Sequence, residues 1–175
     1  FSKAIAVALK DCATEEFRQY GRQVIENSQT LCNELIRRGY KIVTGGTENH
    51  LFSVDLRSVG LNGSKGERVL EEISIATNKN TCPGDKSALS PSGIRIGTPA
   101  LTSRNFKREE FLRVADFIDQ GFKLAVEINQ AEGGQTLKDF KEKMSRPEFD
   151  QKLKALREQV ENFAVQFPMP GLDDY

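Results

Sequence analysis

The sequence predicts an α+β fold, with helices packed on a mostly antiparallel sheet. Two patterns carry that expectation. Long stretches place apolar residues three or four apart, the spacing of one helix face, and between them lie short segments that are β-branched or alternate apolar with polar side chains. The resulting order, α-β-β-α-β-β-α-α-α, describes one domain with helices on a sheet, without internal repeats or low-complexity segments.

Taken in order, the run from Phe1 to Lys10 is helix-forming, with Ile5 and Leu9 on one face, but no capping residue precedes it. Thr14 caps a long helix whose first turn holds Glu15 and Glu16 against the positive end of the dipole; Phe17, Val24, Leu31 and Leu35 mark its apolar face, and Gly39 stops it. Tyr40 to Val43 and His50 to Leu56 read as a hairpin around Gly45-Gly46, with Phe52, Val54 and Leu56 alternating against Leu51, Ser53 and Asp55. After the Asn62-Gly63 turn, Ser64 and Glu67 form a capping box for a short helix ending near Glu72. Ile73 to Ala76 is expected as a third strand, Asn78 to Ser92 as an irregular polar loop, and Ile94 to Ile96 as a fourth strand. Phe111, Val114, Ile118, Phe122 and Ala125 give a helix from Lys107 to Ile128. Thr136 and Asp139 open a short charged helix, and Pro147 starts a last one. Its apolar residues, Phe149 through Phe167, form a continuous seam that wants a partner surface, and Pro168 and Pro170 end it.

Composition narrows the function classes. Lys plus Arg and Asp plus Glu both number 25, so no net field draws phosphate backbones, and no basic stripe interleaves with aromatics; nucleic acid is not expected as a partner. The longest apolar run, Ala4 to Leu9, is far short of a membrane span. The three cysteines, Cys12, Cys32 and Cys82, show no metal-finger spacing and suit reduced thiols, so no metal is expected and the compartment is read as intracellular. The only methionines are Met144 and Met169, so the chain is expected to lack residues upstream and to be part of a longer protein rather than a whole gene product.

The residues that could meet a ligand lie between Asn78 and Arg104. The loop Asn78 to Ser92 is long and rich in amide and hydroxyl side chains, which suits either a functional loop or a mobile surface loop; Pro83 and Pro91 favour an ordered one. Arg95 stands between Ile94 and Ile96, so if the isoleucines face the core, pleating sends its guanidinium to the other side, beside the loop. A guanidinium matches a carboxylate as a rigid fork, a pairing of ~1.5–3 kcal/mol when desolvated. The alternative is a surface arginine paired with Asp or Glu. His50, the single histidine, has no second ligand near it and is read as structural. No nucleophile-base pair or phosphate loop is evident, so no catalytic residue is expected in this chain.

The segments GGTENHLFSVDLR (45 to 57), ATNKNTCPGDKSALSPSGIRIGTPALTSR (76 to 104) and FPMPG (167 to 171) resemble the C-terminal part of serine hydroxymethyltransferases of eukaryotic type. The resemblance runs from Ala6 to the terminus. It implies the small C-terminal domain of a fold-type I pyridoxal-phosphate enzyme over residues 1–175. Residues 1–12 would be the tail of an interdomain helix, 14–130 the sheet-and-helix core and 136–167 the C-terminal helices, with the large cofactor-binding domain absent. It implies the interconversion of serine and glycine with tetrahydrofolate as co-substrate, and a homodimer or homotetramer. A cytoplasmic location is favoured over a mitochondrial one. By motif, Arg95 corresponds to the arginine that holds the substrate carboxylate and Asn80 to the residue that contacts the pteridine ring. Ser87, Ala88 and Leu89 occupy the stretch that bacterial members use near folate, although this loop is one residue shorter than the bacterial pattern. The family's cofactor lysine follows a threonine run and a histidine, a motif lacking here, so the chain alone is expected to be inactive. Two other readings stay open: the small domain of another fold-type I enzyme such as an aminotransferase, and a non-catalytic interaction domain that docks through the seam of the last helix.

Overall fold

The computed structural model describes residues 2–171, so Phe1 and the last four residues of the expected domain lie outside it. Eleven elements follow in order: α1 (Ser2–Cys12), α2 (Glu15–Arg37), β1 (Lys41–Ile42), β2 (Leu51–Asp55), α3 (Gly63–Glu72), β3 (Asn78–Asn80), β4 (Gly93–Gly97), α4 (Pro99–Ser103), α5 (Arg108–Gln130), α6 (Leu137–Met144) and α7 (Pro147–Ala164). The α+β expectation holds: helices pack on a four-stranded, fully antiparallel sheet of order β1-β2-β4-β3.

The alternation read in the second strand sets the two faces of this sheet. Phe52 pairs with Ile96 and Val54 with Ile94, and all four are buried against helices. On the other face Leu51 pairs with Gly97, Ser53 with Arg95 and Asp55 with Gly93. Helix α3 lies so close to the covered face that a Cβ added to Gly66 would stand 2.5 Å from Leu56 and 2.9 Å from Ile94. Helix α5 completes the core with Phe111, Ile118, Phe122 and Ile128, all essentially solvent-free. It is tied to the end of α2 by a buried polar knot: the Asp119 carboxylate accepts from Tyr40 Oη (2.8 Å), Arg38 (2.8 Å) and Lys123 (2.9 Å).

Thr14 caps α2 through its hydroxyl, which accepts from Phe17 N at 3.2 Å, and Thr136 and Asp139 cap α6 reciprocally. Elsewhere the structure corrects the reading. The cap of α3 is Asn62, whose Oδ1 accepts from Lys65 N (2.9 Å), and the Ser64–Glu67 box is not used; the helix starts one residue before Ser64. The third strand is not Ile73 to Ala76. Ile73 ends α3 and Ser74 takes a left-handed φ of 62°, so the β-branched stretch is a helix exit and pairing begins at Asn78. The short helix α4 was not anticipated, because Pro99 and the small residues after it show no periodicity.

The apolar seam of α7 is covered by the chain's own core: Phe149, Leu153, Leu156 and Val160 are all buried. Arg157 reaches the Glu72 carbonyl (2.5 Å) and the Glu72 carboxylate at the end of α3. The interaction-domain reading loses its docking surface. Past α7, Arg104 donates to the carbonyls of Ala164 (2.5 Å), Phe167 (3.0 Å) and Pro168 (3.0 Å), and Phe106 packs on Phe163 and Phe167. No described helix is long and apolar enough to cross a membrane.

Candidate functional site

Residues directly opposite in an antiparallel sheet project to the same face. Asn78 pairs with Arg95 and Asn80 with Gly93. Arg95 therefore shares the uncovered face with Ser53 on one side and Asn78 on the other, and Asn80 lies one diagonal step away, a separation of about 7–8 Å between Cα atoms. The two residues singled out for carboxylate and folate binding, fifteen positions apart in sequence, are brought onto one surface.

Arg95 is exposed, as its flanking isoleucines dictated, and among the described residues no carboxylate pairs with it and no hydrogen bond engages its guanidinium. The bland alternative, a surface arginine tied to Asp or Glu, is not what the fold contains. Its neighbours explain why. Asp55, the nearest acid on this face by register, is itself buried and held bidentately by Arg57 (2.9 and 2.8 Å), with Lys41 at 3.5 Å; Arg57 accordingly holds the Asp55 carboxyl below the ordinary range. Beside Ser53 the loop from Val43 to Asn49 shapes an open hollow of about 610 Å³. The position of β4 is fixed beyond Arg95 by Thr98, whose amide donates to the His50 carbonyl (3.0 Å) and whose hydroxyl donates to the Val24 carbonyl (2.9 Å). His50 thus works through its backbone, and its exposed ring engages nothing among the described residues.

Asn80 is half-buried at the end of β3. Its amide nitrogen donates to the Thr81 carbonyl at 3.0 Å, which leaves the side-chain oxygen as an acceptor. Ser87, Ala88 and Leu89 stand exposed at the tip of the loop, Leu89 with 91% of its surface accessible. Their one described hydrogen bond is local, Leu89 N to Ser87 Oγ (3.1 Å), and nothing ties them to the sheet face.

The loop itself is ordered at its base by residues that motif reading passed over. Cys82-Pro83-Gly84-Asp85 is a reverse turn closed by Asp85 N to the Cys82 carbonyl (3.0 Å), with Gly84 at φ 89° where a side chain would be strained. The Asp85 carboxylate then accepts from the amides of Cys82 and Ser92, both at 2.8 Å, and from Ser92 Oγ at 2.5 Å. These bonds, from Ser92 first, hold its pKa at about 2. Arg57 bridges from Asp55 to the Pro83 carbonyl (3.0 Å) and to Asp85 (3.5 Å). A Pro-Gly-Asp turn is a visible sequence signal; what it closes is not.

The family model described as serine hydroxymethyltransferase matches residues 2–118. The chain belongs to the serine hydroxymethyltransferase family. The matched span contains Asn80, Asp85 and Arg95 and ends within α5. Relatives named serine hydroxymethyltransferase cover the remainder as well. The cytosolic enzyme of Oryctolagus cuniculus is 55% identical over 98% of this chain and 36% of its own length. That of Bombyx mori is 53% identical over 98% and 37%, and the chloroplastic serine hydroxymethyltransferase 3 of Arabidopsis thaliana 45% identical over 96% and 32%. The chain spans about a third of the length of these relatives. A match of this extent sets aside the small domain of an aminotransferase as the reading of this serine hydroxymethyltransferase segment.

Proposed function

We propose that this chain is the substrate-facing C-terminal part of an enzyme that interconverts serine plus tetrahydrofolate and glycine plus 5,10-methylenetetrahydrofolate. The observation that supports it most is the placement of an unpaired Arg95 and of Asn80 on one uncovered sheet face. In this reading the Arg95 fork takes the α-carboxylate of serine or glycine, which fixes the torsion about the α-carbon bond to be broken. The Asn80 oxygen accepts from a ring N–H of the pteridine, and Ser87 to Leu89 lie along the rest of the folate.

Pyridoxal phosphate, when bound, supplies the electron sink for the bond-breaking step. The residues described here fit a carboxylate and a ring donor, not that cofactor. Lys41 is paired with Asp55, and Lys79, on the covered side of β3, is paired with Glu67. In this reading the cofactor is held by residues outside this chain, and no catalytic residue is assigned within it. The complete protein acts as a homodimer or homotetramer inside the cell; the relatives' names include a cytosolic and a chloroplastic form, and a cytoplasmic location is the one we favour over a mitochondrial one.

Kinetics of the full-length enzyme test this. Arg95→Ala removes a pairing of ~1.5–3 kcal/mol and should lower kcat/KM for serine by about 10- to 150-fold, with a raised KM. Near-normal serine kinetics in that variant would sink the assignment. Asn80→Ala should impair folate-dependent turnover more than glycine binding, and equal losses in both assays would remove Asn80 from the folate site.

A further inference from the structure

We infer that Asp85 is a positioning residue for the folate side of this site, acting on Asn80 through one peptide plane. The inference rests on the role of Asn80 proposed above. The peptide unit between Thr81 and Cys82 is engaged at both ends: its carbonyl accepts from Asn80 Nδ2 (3.0 Å) and its N–H donates to Asp85 Oδ2 (2.8 Å). Because that unit is rigid and planar, holding its N–H fixes the direction of its carbonyl, and the carbonyl fixes which way the Asn80 amide is turned. The charged acceptor at one end also polarises the bond at the other. The chain of contacts ends with Asn80 Oδ1 presented to the open face.

The same carboxylate anchors the far end of the loop. Asp85 Oδ2 also takes the amide of Ser92, the residue before Gly93, and Gly93 is the strand partner of Asn80. Cys82 Sγ folds over Gly93 so closely that a Cβ there would stand 2.4 Å from it. Both strand ends therefore meet at Asp85, while Arg57 holds the assembly to the end of β2. Asp85 reaches no substrate in this arrangement; its effect passes through Asn80.

Replacing Asp85 by Asn in the full-length enzyme keeps the shape but turns one acceptor atom into a donor, so the bonds to Cys82, Ser92 and Arg57 cannot all be kept. The KM for tetrahydrofolate should rise about ten-fold while the KM for serine changes less than about two-fold, as expected when a group loses its support and not its chemistry. Hydrogen exchange at the Cys82 amide should accelerate in parallel. An unchanged KM for tetrahydrofolate, or equal rises for both substrates, overturns the inference. If the Asn variant does not accumulate folded, Ser92→Ala, which removes one donor to the carboxylate, should produce a smaller rise in the same direction; no rise overturns it equally. A raised folate KM in Asn80→Ala beside an unchanged one in Asp85→Asn sinks the relay alone, whereas no effect in Asn80→Ala removes the folate assignment and the relay together.

Discussion

At the residue scale, the polar groups of this chain divide into those whose demands are met inside the fold and those left facing outward. Asp119 belongs to the first kind. Its burial alone would push the carboxyl up, but hydrogen bonds from Lys123, Tyr40 and Arg38 outweigh that and hold it below the ordinary range. Burial first, and then its hydrogen bond to the Asp119 carboxylate, push the Tyr40 hydroxyl up. Removing the acceptor strands the buried Tyr40 hydroxyl, while the exposed Lys123 turns to water and Arg38 keeps Glu34 and Asp116, so Asp119→Ala should cost about 1–3 kcal/mol in urea unfolding. A loss below about 0.5 kcal/mol, the size of a surface change, would show that the knot contributes little. Arg95 belongs to the second kind. Its direction was legible because two isoleucines flank it. Its lack of a partner was not, because that depends on Arg57 engaging Asp55 across a turn.

At the scale of elements, strands and helices with strong periodicity were read correctly, and the misreadings share a cause. Ile73 to Ala76 has β propensity, yet tertiary packing of Ile73 against α5 keeps it at the end of α3. There a Cβ added to Gly121 of α5 would stand only 3.0 Å from the Ile73 side chain. Asn78 to Asn80 has poor β propensity and is nevertheless a strand, because β4 offers an edge. The separation between α3 and β4 is set by another glycine. A Cβ on Gly63 would lie 2.2 Å from the Gly93 carbonyl and 3.0 Å from that of Pro91, both backbone atoms that cannot step aside. Gly63→Ala should therefore destabilise by about 2–3 kcal/mol, whereas Gly21→Ala, with open space around it in α2, should stabilise by about 0.5–1 kcal/mol. Denaturant midpoints of the pair check this; a harmless Gly63→Ala would mean that the two elements are free to separate. Since Gly93 also faces Asn80, the same substitution should weaken folate binding.

For the whole molecule, several carboxylates are tied to the elements they join: Asp55, Asp85 and Asp119 all titrate below the ordinary range, as does Glu34, held at about 2 chiefly by its hydrogen bond to Arg37. Their folded values lie below the unfolded ones, near 4, so the stability they confer is complete above about pH 4 and is lost as pH falls through the folded values toward about 2. The arginines facing Glu34 and Asp85, Arg37 and Arg57, are exposed, so the ion-pair share of these two is reduced by screening. Thermal melts should be nearly flat from about pH 7 to 5 and drop steeply below about 4; a steep loss already between 7 and 5 would point to other groups.

The closed base of the β3–β4 loop also separates two kinds of evolutionary freedom. Because Asp85 clamps Cys82 to Ser92, the segment from Lys86 to Pro91 is a tether whose ends are already joined, and the entropy of a flexible tether grows only with the logarithm of its length, about 0.6 kcal/mol for each doubling. A residue can therefore be added to or removed from that tip at almost no thermodynamic cost. The placement of Asn80 beside Arg95 is set by the pairing of β3 with β4 and does not depend on the length of that tip.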